Sequence, residues 1–219
     1  LGMRRAVFSP DGTKLAYQKV PGKILGVANV WRVPVFSDRP ATWTDAEQIT
    51  SDEAFIEFVD LHPDGATLVF SSDRFGNQDF YTIPVEGGPP QRLTTHPAQD
   101  WNPVWSPNGQ EIAFYSYRNG NRDIWVMPAD GGPARQLTYN PLTDSSPAWS
   151  PDGKYIVYQA TVTNQDDLLE SSISTVPVEG GVPKPLGSGF GITPFWSPDG
   201  QWIYITSDRD TDPPRQRLW

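Results

Sequence analysis

The chain has 219 residues and a formal net charge of −9 at pH 7, and its nine Trp, eight Tyr and ten Phe supply enough apolar surface for one large all-β domain or two ordinary ones. This acidic balance, without any basic cluster, excludes a nucleic-acid partner and an anionic membrane surface. The absence of Cys excludes disulfides, thiolate metal sites and Cys nucleophiles, and no apolar run reaches the ~20 residues of a membrane span.

The first residues contain neither an initiator Met at position 1 nor the apolar segment of a signal peptide. We therefore interpret the chain as the interior of a longer protein. Strand-like sequence begins almost at once and leads into a turn of the form Ser-Pro-Asp-Gly. This turn motif occurs five times, at residues 9–12, 62–65, 106–109, 150–153 and 197–200, at spacings of 53, 44, 44 and 47 residues.

Each turn motif lies between two predicted strands, because Pro at the second position and Gly at the fourth are typical of a type I turn between apolar runs. The run before the turn ends in a bulky residue: Phe8, Leu61, Trp105, Trp149 and Trp196. An alternating run follows the turn, and a third apolar run follows that one. A fourth short strand is predicted around Leu93, Leu137 and Leu186, whereas the first unit has a longer connection that ends at Ile49.

Four short antiparallel strands in a unit of about 44 residues predict a blade of a β-propeller. The predicted fold class is all-β, with four full blades and part of a fifth, cut from a propeller of six or more blades. The blades span approximately residues 1–50, 51–94, 95–138, 139–186 and, incompletely, 187–219. Since a blade must bury both faces, we expect Trp105, Trp149 and Trp196 to be buried at equivalent places. The open blade edges also allow self-association of two copies.

The recurring motifs resemble a known family. "WSPDG", then "SDRFGNQD" or "RNGNRD", then "IPVEGG" and "LT" resemble the WD-like (PD-type) repeats of the TolB propeller. Repeats of the same type occur in the propellers of prolyl oligopeptidase-family enzymes and of oligogalacturonate lyase. The resemblance covers the whole chain and implies the fold far more specifically than the function.

The TolB resemblance implies a non-catalytic, periplasmic or extracytoplasmic module that binds a protein or peptide at its loop-rich face. Two alternatives remain open. The chain is the gating domain of a prolyl oligopeptidase-like serine hydrolase, with the catalytic domain outside these residues. Or it belongs to a saccharide lyase, which requires a cluster of His and metal at the face where the sequence offers only His96.

The sequence predicts no catalytic residue, no metal site and no cofactor. The two histidines, His62 and His96, belong to different turn classes, so they do not share a metal. No Gly-x-Ser-x-Gly elbow is present, and the acidic run 208–212 lacks the Gly of a calcium loop. We interpret Asp166, Asp167 and Glu170 as a solvated insertion rather than a carboxylate cluster, and Asp79 and Asp123 as acceptors that stabilise loops.

The predicted partner surface lies where the innermost strands begin, just before Pro103, Pro147 and Pro194. Trp101 and Asp100 are expected to contribute most, with Arg4 and Arg5 opposite them across the channel. The counterpart of Trp101 one blade later is Ser145, so the blade itself does not require an aromatic there. The candidate partner-binding residues are Arg4, Arg5, Glu57, His96, Asp100, Trp101, Asp144 and Ser145.

Overall fold

The computed structural model describes residues 2–20, 28–163, 169–186, 191–207 and 217–218. In this part of the chain the strands are β1 (Gly2–Phe8), β2 (Lys14–Val20), β3 (Asn29–Pro34), β4 (Glu47–Gln48), β5 (Ile56–Leu61), β6 (Thr67–Ser72), β7 (Asp79–Pro84), β8 (Gln91–Arg92), β9 (Asp100–Trp105), β10 (Glu111–Ser116), β11 (Asp123–Pro128), β12 (Arg135–Gln136), β13 (Thr143–Trp149), β14 (Tyr155–Thr163), β15 (Leu169–Pro177), β16 (Lys184–Pro185), β17 (Ile192–Trp196), β18 (Ile203–Ser207) and β19 (Arg217–Leu218). The one helical element described is a single 3-10 turn, Trp43–Asp45.

These strands form, within the described residues, four sheets of four strands and one of three: β1–β4, β5–β8, β9–β12, β13–β16 and β17–β19. Members of each sheet follow one another along the chain and pair antiparallel, as β6 and β7 do from Thr67↔Pro84 to Ser72↔Asp79. Each of the five segments predicted from the repeat contains the strands of one sheet. The prediction of an all-β fold of propeller blades is therefore confirmed.

Local hydrogen bonds explain why the turn motif recurs. In the first turn, Asp11 Oδ1 accepts from the Ser9 hydroxyl at 2.6 Å and from the Thr13 N–H at 3.0 Å. These bonds, the one from Ser9 first, lower the pKa of Asp11 to about 2. Gly12 has a φ of +70°, which a residue with a Cβ rarely adopts. Each turn thus folds on contacts among neighbours in the chain.

The chain forms two compact units, Leu1–Trp105 and Ser106–Trp219. In the first unit, β5 packs against β1, β2 and β3, and β9 packs against β5, β6 and β7. In the second unit, β13 packs against β10 and β11, and β17 packs against β13, β14 and β15. The innermost strand of a sheet therefore covers the face of the sheet before it, and each large apolar side chain buried in this way contributes about 1.5–3 kcal/mol.

The three Trp at the ends of the innermost strands differ in burial. Trp105 and Trp149 are 7% and 8% exposed, as predicted, and the Trp105 ring meets the His62 ring edge-to-face with centroids 4.8 Å apart. Trp196 is only partly buried, so that part of the prediction was wrong. Its sheet, β17–β19, is the last one described, and no further described sheet covers its other face.

The hairpin of β14 and β15 is longer than its counterparts, with nine residues in each strand where β6, β7, β10 and β11 have six. The carboxylate insertion predicted at Asp166 and Asp167 lies outside the described residues, as does the side chain of Glu170. No helix in the described part of the chain has the length and apolar character needed to cross a membrane.

Candidate functional site

A left-handed residue recurs in four of the innermost strands. Phe58, Asn102, Ser146 and Thr193 have φ values of +53°, +55°, +53° and +49°. In β5, β13 and β17 the pairing register shifts at this point, which leaves two residues out of the ladder, as between Ser145 and Ala148. Such a bulge bends the strand and re-aims the side chains at its start.

Three innermost strands begin before the Pro at which the sequence predicted their start, so that prediction was wrong. Pro103, Pro147 and Pro194 each follow the left-handed residue, and their strands begin earlier, at Asp100, Thr143 and Ile192. A Pro has no N–H to donate to a ladder, so an interior strand position is unfavourable for it. The bulge takes Pro147 and Pro194 out of the register, and the strand continues on both sides of each of them.

Phe58 is the exception among the left-handed residues. The equivalent positions hold Asn, Ser and Thr, which are small or hydrogen-bonding, whereas Phe58 is a bulky aromatic. Its ring meets the Trp101 ring at 90° with centroids 6.3 Å apart, and both side chains are partly buried. We call these two residues the aromatic corner. The sequence contained a signal for this position, because the repeat aligns Phe58 with the residues that precede Pro in the other units.

The other predicted contact residues take different positions. Glu57 and Ser145 are partly buried at the starts of their strands, and His96 is exposed. The ring of His96 accepts a hydrogen bond at Nδ1 from the Ala98 N–H at 3.0 Å, within its own turn. The side chains of Arg4 and Arg5 lie outside the described residues.

Asp100 and Asp144 are fully buried, so neither carboxyl lies on the surface in this structure. Asp100 is the first residue of β9 and Asp144 the second of β13. Each donates its N–H to a carbonyl of the loop before the third strand of the preceding repeat, Gln78 for Asp100 and Arg122 for Asp144, at 2.9 Å. Their side chains therefore belong to the interior and are not available to a partner at the surface.

In the first unit, Asp100 lies near an ion pair whose carboxylate, that of Asp79, is buried. Asp79 is fully buried, and one of its carboxylate oxygens is 2.5 Å from Arg92 Nη2. The Thr94 hydroxyl donates to its other oxygen at 3.3 Å. Burial raises the pKa of Asp79, Arg92 lowers it, and the charge of Asp100 raises it. Asp79 thus acts as an internal acceptor that holds the loop, as predicted.

In the second unit, Asp123 and Asp144 repeat this arrangement without the arginine. Gln136 takes the position of Arg92, and its Nε2 donates to Asp123 Oδ2 at 2.9 Å and to the Thr138 carbonyl at 2.7 Å. Asn140 Nδ2 donates to Asp144 Oδ2 at 2.9 Å. Burial raises the pKa of Asp123 and that of Asp144 to about 6 each, and the charge of Asp123 adds to the rise at Asp144.

A catalytic or metal centre needs several such groups together. Among the described residues, no group of three or more His, Asp or Glu side chains could hold a metal ion. His62 stands in its turn, where Nδ1 accepts from the Asp64 N–H at 3.2 Å and the ring packs on Trp105. Phe58 and Trp101 of the aromatic corner are partly exposed, whereas Asp79, Asp100, Asp123 and Asp144 are buried.

Comparisons with known proteins agree with this fold. YuxL, an uncharacterized peptidase of Bacillus subtilis (strain 168), is 34% identical over 104 residues, which are 46% of this chain and 15% of that protein. TolB of Acinetobacter baumannii has a TM-score of 0.76 at 19% identity, over 99% of this chain and 51% of that one. A puromycin-hydrolyzing peptidase of Mycobacterium tuberculosis has a TM-score of 0.68 at 16% identity, over 85% of this chain and 29% of that one.

The fold also matches that of oligogalacturonate lyase, as the repeats indicated. The chain spans 15% of the length of YuxL and about half of the length of TolB, so it corresponds to a part of each. Residues 90–217, more than half of the chain, match the family described as the Tricorn protease N-terminal beta propeller domain. The chain belongs to the family of Tricorn protease N-terminal β-propeller domains.

Proposed function

We propose that this chain is the substrate-selecting propeller domain of a peptidase whose catalytic residues lie outside these 219 residues. The observation that carries the proposal is the 34% identity to the peptidase YuxL. The match to a propeller family named after a protease supports it. The chain then binds peptide, as the TolB resemblance implied, but in the service of a hydrolase rather than as a free-standing binding module.

The aromatic corner is the part of the first unit that we propose contacts the peptide. A left-handed conformation costs an L-residue about 1–2 kcal/mol, and β-branched or bulky residues adopt it least readily. The equivalent positions show that the blade folds with Asn, Ser or Thr there. A strained residue that the fold does not require indicates a functional constraint.

The chemistry of the aromatic corner selects the kind of peptide. Phe58 and Trp101 present an edge-to-face pair, which buries apolar or aromatic side chains with little loss of conformational entropy. The net charge of −9 disfavours the approach of acidic peptides. We therefore propose neutral or basic peptides with a large apolar side chain as the substrate class.

The first test concerns catalysis. A fluorophosphonate probe, which reacts with activated serine nucleophiles, should label the full-length protein encoded by the parent gene and leave this 219-residue chain unlabelled. Reading the gene on both sides of the chain should show a Gly-x-Ser-x-Gly elbow with Asp and His partners. A full-length protein without this set, and without hydrolysis of peptides, would return the chain to the class of binding modules.

The second test concerns the aromatic corner. Phe58→Asn should raise the free energy of unfolding by about 1 kcal/mol, because Asn adopts the left-handed conformation at lower cost. In the full-length enzyme it should also raise KM for peptides with large apolar side chains several-fold, and Trp101→Ser should do the same. Ser146→Asn, at the equivalent position in the second unit, is the matched control and should leave KM unchanged. An unchanged KM for both Phe58→Asn and Trp101→Ser excludes the aromatic corner from the binding surface.

A further inference from the structure

Asp123 and Asp144 compete for a single hydroxyl proton. Thr138 lies between them, and its Oγ1 accepts the Ile124 N–H at 2.9 Å. The hydroxyl donates to Asp123 Oδ1 at 3.2 Å, and it also lies close enough to Asp144 to lower the pKa of that carboxyl. A threonine hydroxyl has one proton, so it can serve one of the two carboxyls at a time.

The other hydrogen-bond donors near the pair do not satisfy all four carboxyl oxygens. Gln136 and Asn140 each give one N–H, to Asp123 Oδ2 and to Asp144 Oδ2. Asp144 Oδ1 is buried and has no hydrogen-bond partner among the described residues. A buried carboxylate oxygen without a donor is costly, and a proton on the carboxyl itself removes that cost.

The first unit contains a cation that the second unit lacks at the equivalent position. There, the guanidinium of Arg92 neutralises Asp79 in the equivalent position, whereas Gln136 is neutral. In the described part of the second unit, no cationic side chain forms an ion pair with Asp123 or Asp144. Two buried carboxylates without a cation repel each other, and the pair then retains a proton at a pH where an exposed carboxyl has lost it.

None of the described groups that face the pair from neighbouring strands forms an ion pair with either carboxylate. Tyr158 of β14 stays protonated, because burial and then the charge of Asp144 raise its pKa. Arg122, whose carbonyl accepts from the Asp144 N–H, directs its Nε to the Tyr117 hydroxyl at 2.5 Å. Gln136, Thr138 and Asn140 are neutral donors.

We propose that Asp123 and Asp144 form a proton-binding site: the two buried carboxyls beside Thr138 together hold one proton, which is released only as the pH approaches neutrality. The site joins β11 to the start of β13, so release of the proton sets two like charges against each other across the connection 138–144. The raised pKa values of both carboxyls agree with this geometry. The proposal is independent of the peptidase assignment.

The test is a titration of the side-chain carboxyl ¹³C resonances of the 219-residue chain by NMR. The Asp123 and Asp144 signals should titrate together, with at least one midpoint at pH 6 or above. Gln136→Arg supplies the missing cation and should move both midpoints down by at least one pH unit. Asp144→Asn should leave Asp123 with a single, lower midpoint, and Asp130→Asn, in an exposed turn, should change neither.

Two results would overturn the proposal. One is independent titration of both carboxyls between pH 3 and 5. The other is stoichiometric binding of Ca²⁺ at neutral pH that abolishes the titration, since a metal ion and not a proton would then be the occupant. If Asp144→Asn does not fold, the Gln136→Arg titration still decides the question.

Discussion

Replacing Arg92 with Met is expected to lower the free energy of unfolding by about 2–3 kcal/mol at pH 7, because removing one partner of a buried ion pair leaves the other charge uncompensated. Asp79 is fully buried, and its carboxylate is 2.5 Å from Arg92. The side chain of Arg92 is one-third exposed, so solvent screens part of the interaction and the expected loss lies below that of a fully buried pair. Urea denaturation at pH 7 measures it.

The pH dependence of that loss separates a charge effect from a packing effect. Burial already raises the pKa of Asp79, and without Arg92 it rises further. The folded Arg92→Met protein therefore takes up a proton at mildly acidic pH, where the unfolded chain is still ionised. Protonation then stabilises the folded state, so the loss should shrink as the pH falls from 7 towards 5.

Arg92→Gln is the matched control, because it copies Gln136 of the second unit. The Gln side chain can keep a hydrogen bond to Asp79 and one to the Thr94 carbonyl, as Gln136 does to Asp123 and to the Thr138 carbonyl. It should cost about 1 kcal/mol, the typical value of a hydrogen bond. Equal losses for the two substitutions, at both pH values, would contradict the role of charge.

Trp105→Ala is expected to lower the free energy of unfolding by about 3–5 kcal/mol, the range for removing a buried Trp side chain from a core. Trp105 is 7% exposed and packs edge-to-face on His62. Chemical denaturation of the purified chain measures the change. Trp202→Ala, at a position that is 66% exposed, should stay within about 0.5 kcal/mol of the parent.

Trp105→Phe tests which part of the indole matters. The indole N–H of Trp105 is buried and has no acceptor among the described residues. Phe removes this unsatisfied donor and keeps an aromatic ring against His62, although it leaves part of the indole volume unfilled. It should therefore cost about 1.5 kcal/mol, clearly less than Trp105→Ala. A loss as large as that of Trp105→Ala would show that the full volume of the indole is required.

The sheets could be predicted from the sequence because their signals are local. Ser9, Asp11 and Thr13 close a turn through bonds between residues two apart, and such a pattern is visible in five places along the chain. Asp79 and Asp123 were predicted as acceptors that stabilise loops for the same reason, since both open a third strand at the same point of the repeat.

The site was less predictable, because the direction of a side chain at a strand start depends on the bulge. Asp100 and Trp101 are adjacent, yet the Asp100 carboxyl is buried and Trp101 is partly exposed at the aromatic corner. The repeat aligns Phe58 with Asn102, Ser146 and Thr193, but its residue type does not predict a left-handed φ, since a bulky aromatic is a poor residue for that conformation. The replacement of Arg92 by Gln136 was visible in the sequence, but its meaning depended on the burial of Asp123.

The pairing of strands only with their neighbours in the chain has a consequence for the folding rate. A hairpin such as β6–β7 closes a loop of six residues, from Ser72↔Asp79 onward, and in the sheets formed by the described residues no crossover connects distant segments. Short loops cost little closure entropy, and a hairpin forms in about 1–10 μs. We infer that each sheet can assemble while the chain emerges from the ribosome, before the segment that will cover it has been synthesised. The slow step is then the docking of one sheet on the next, as β9 docks on β5, β6 and β7.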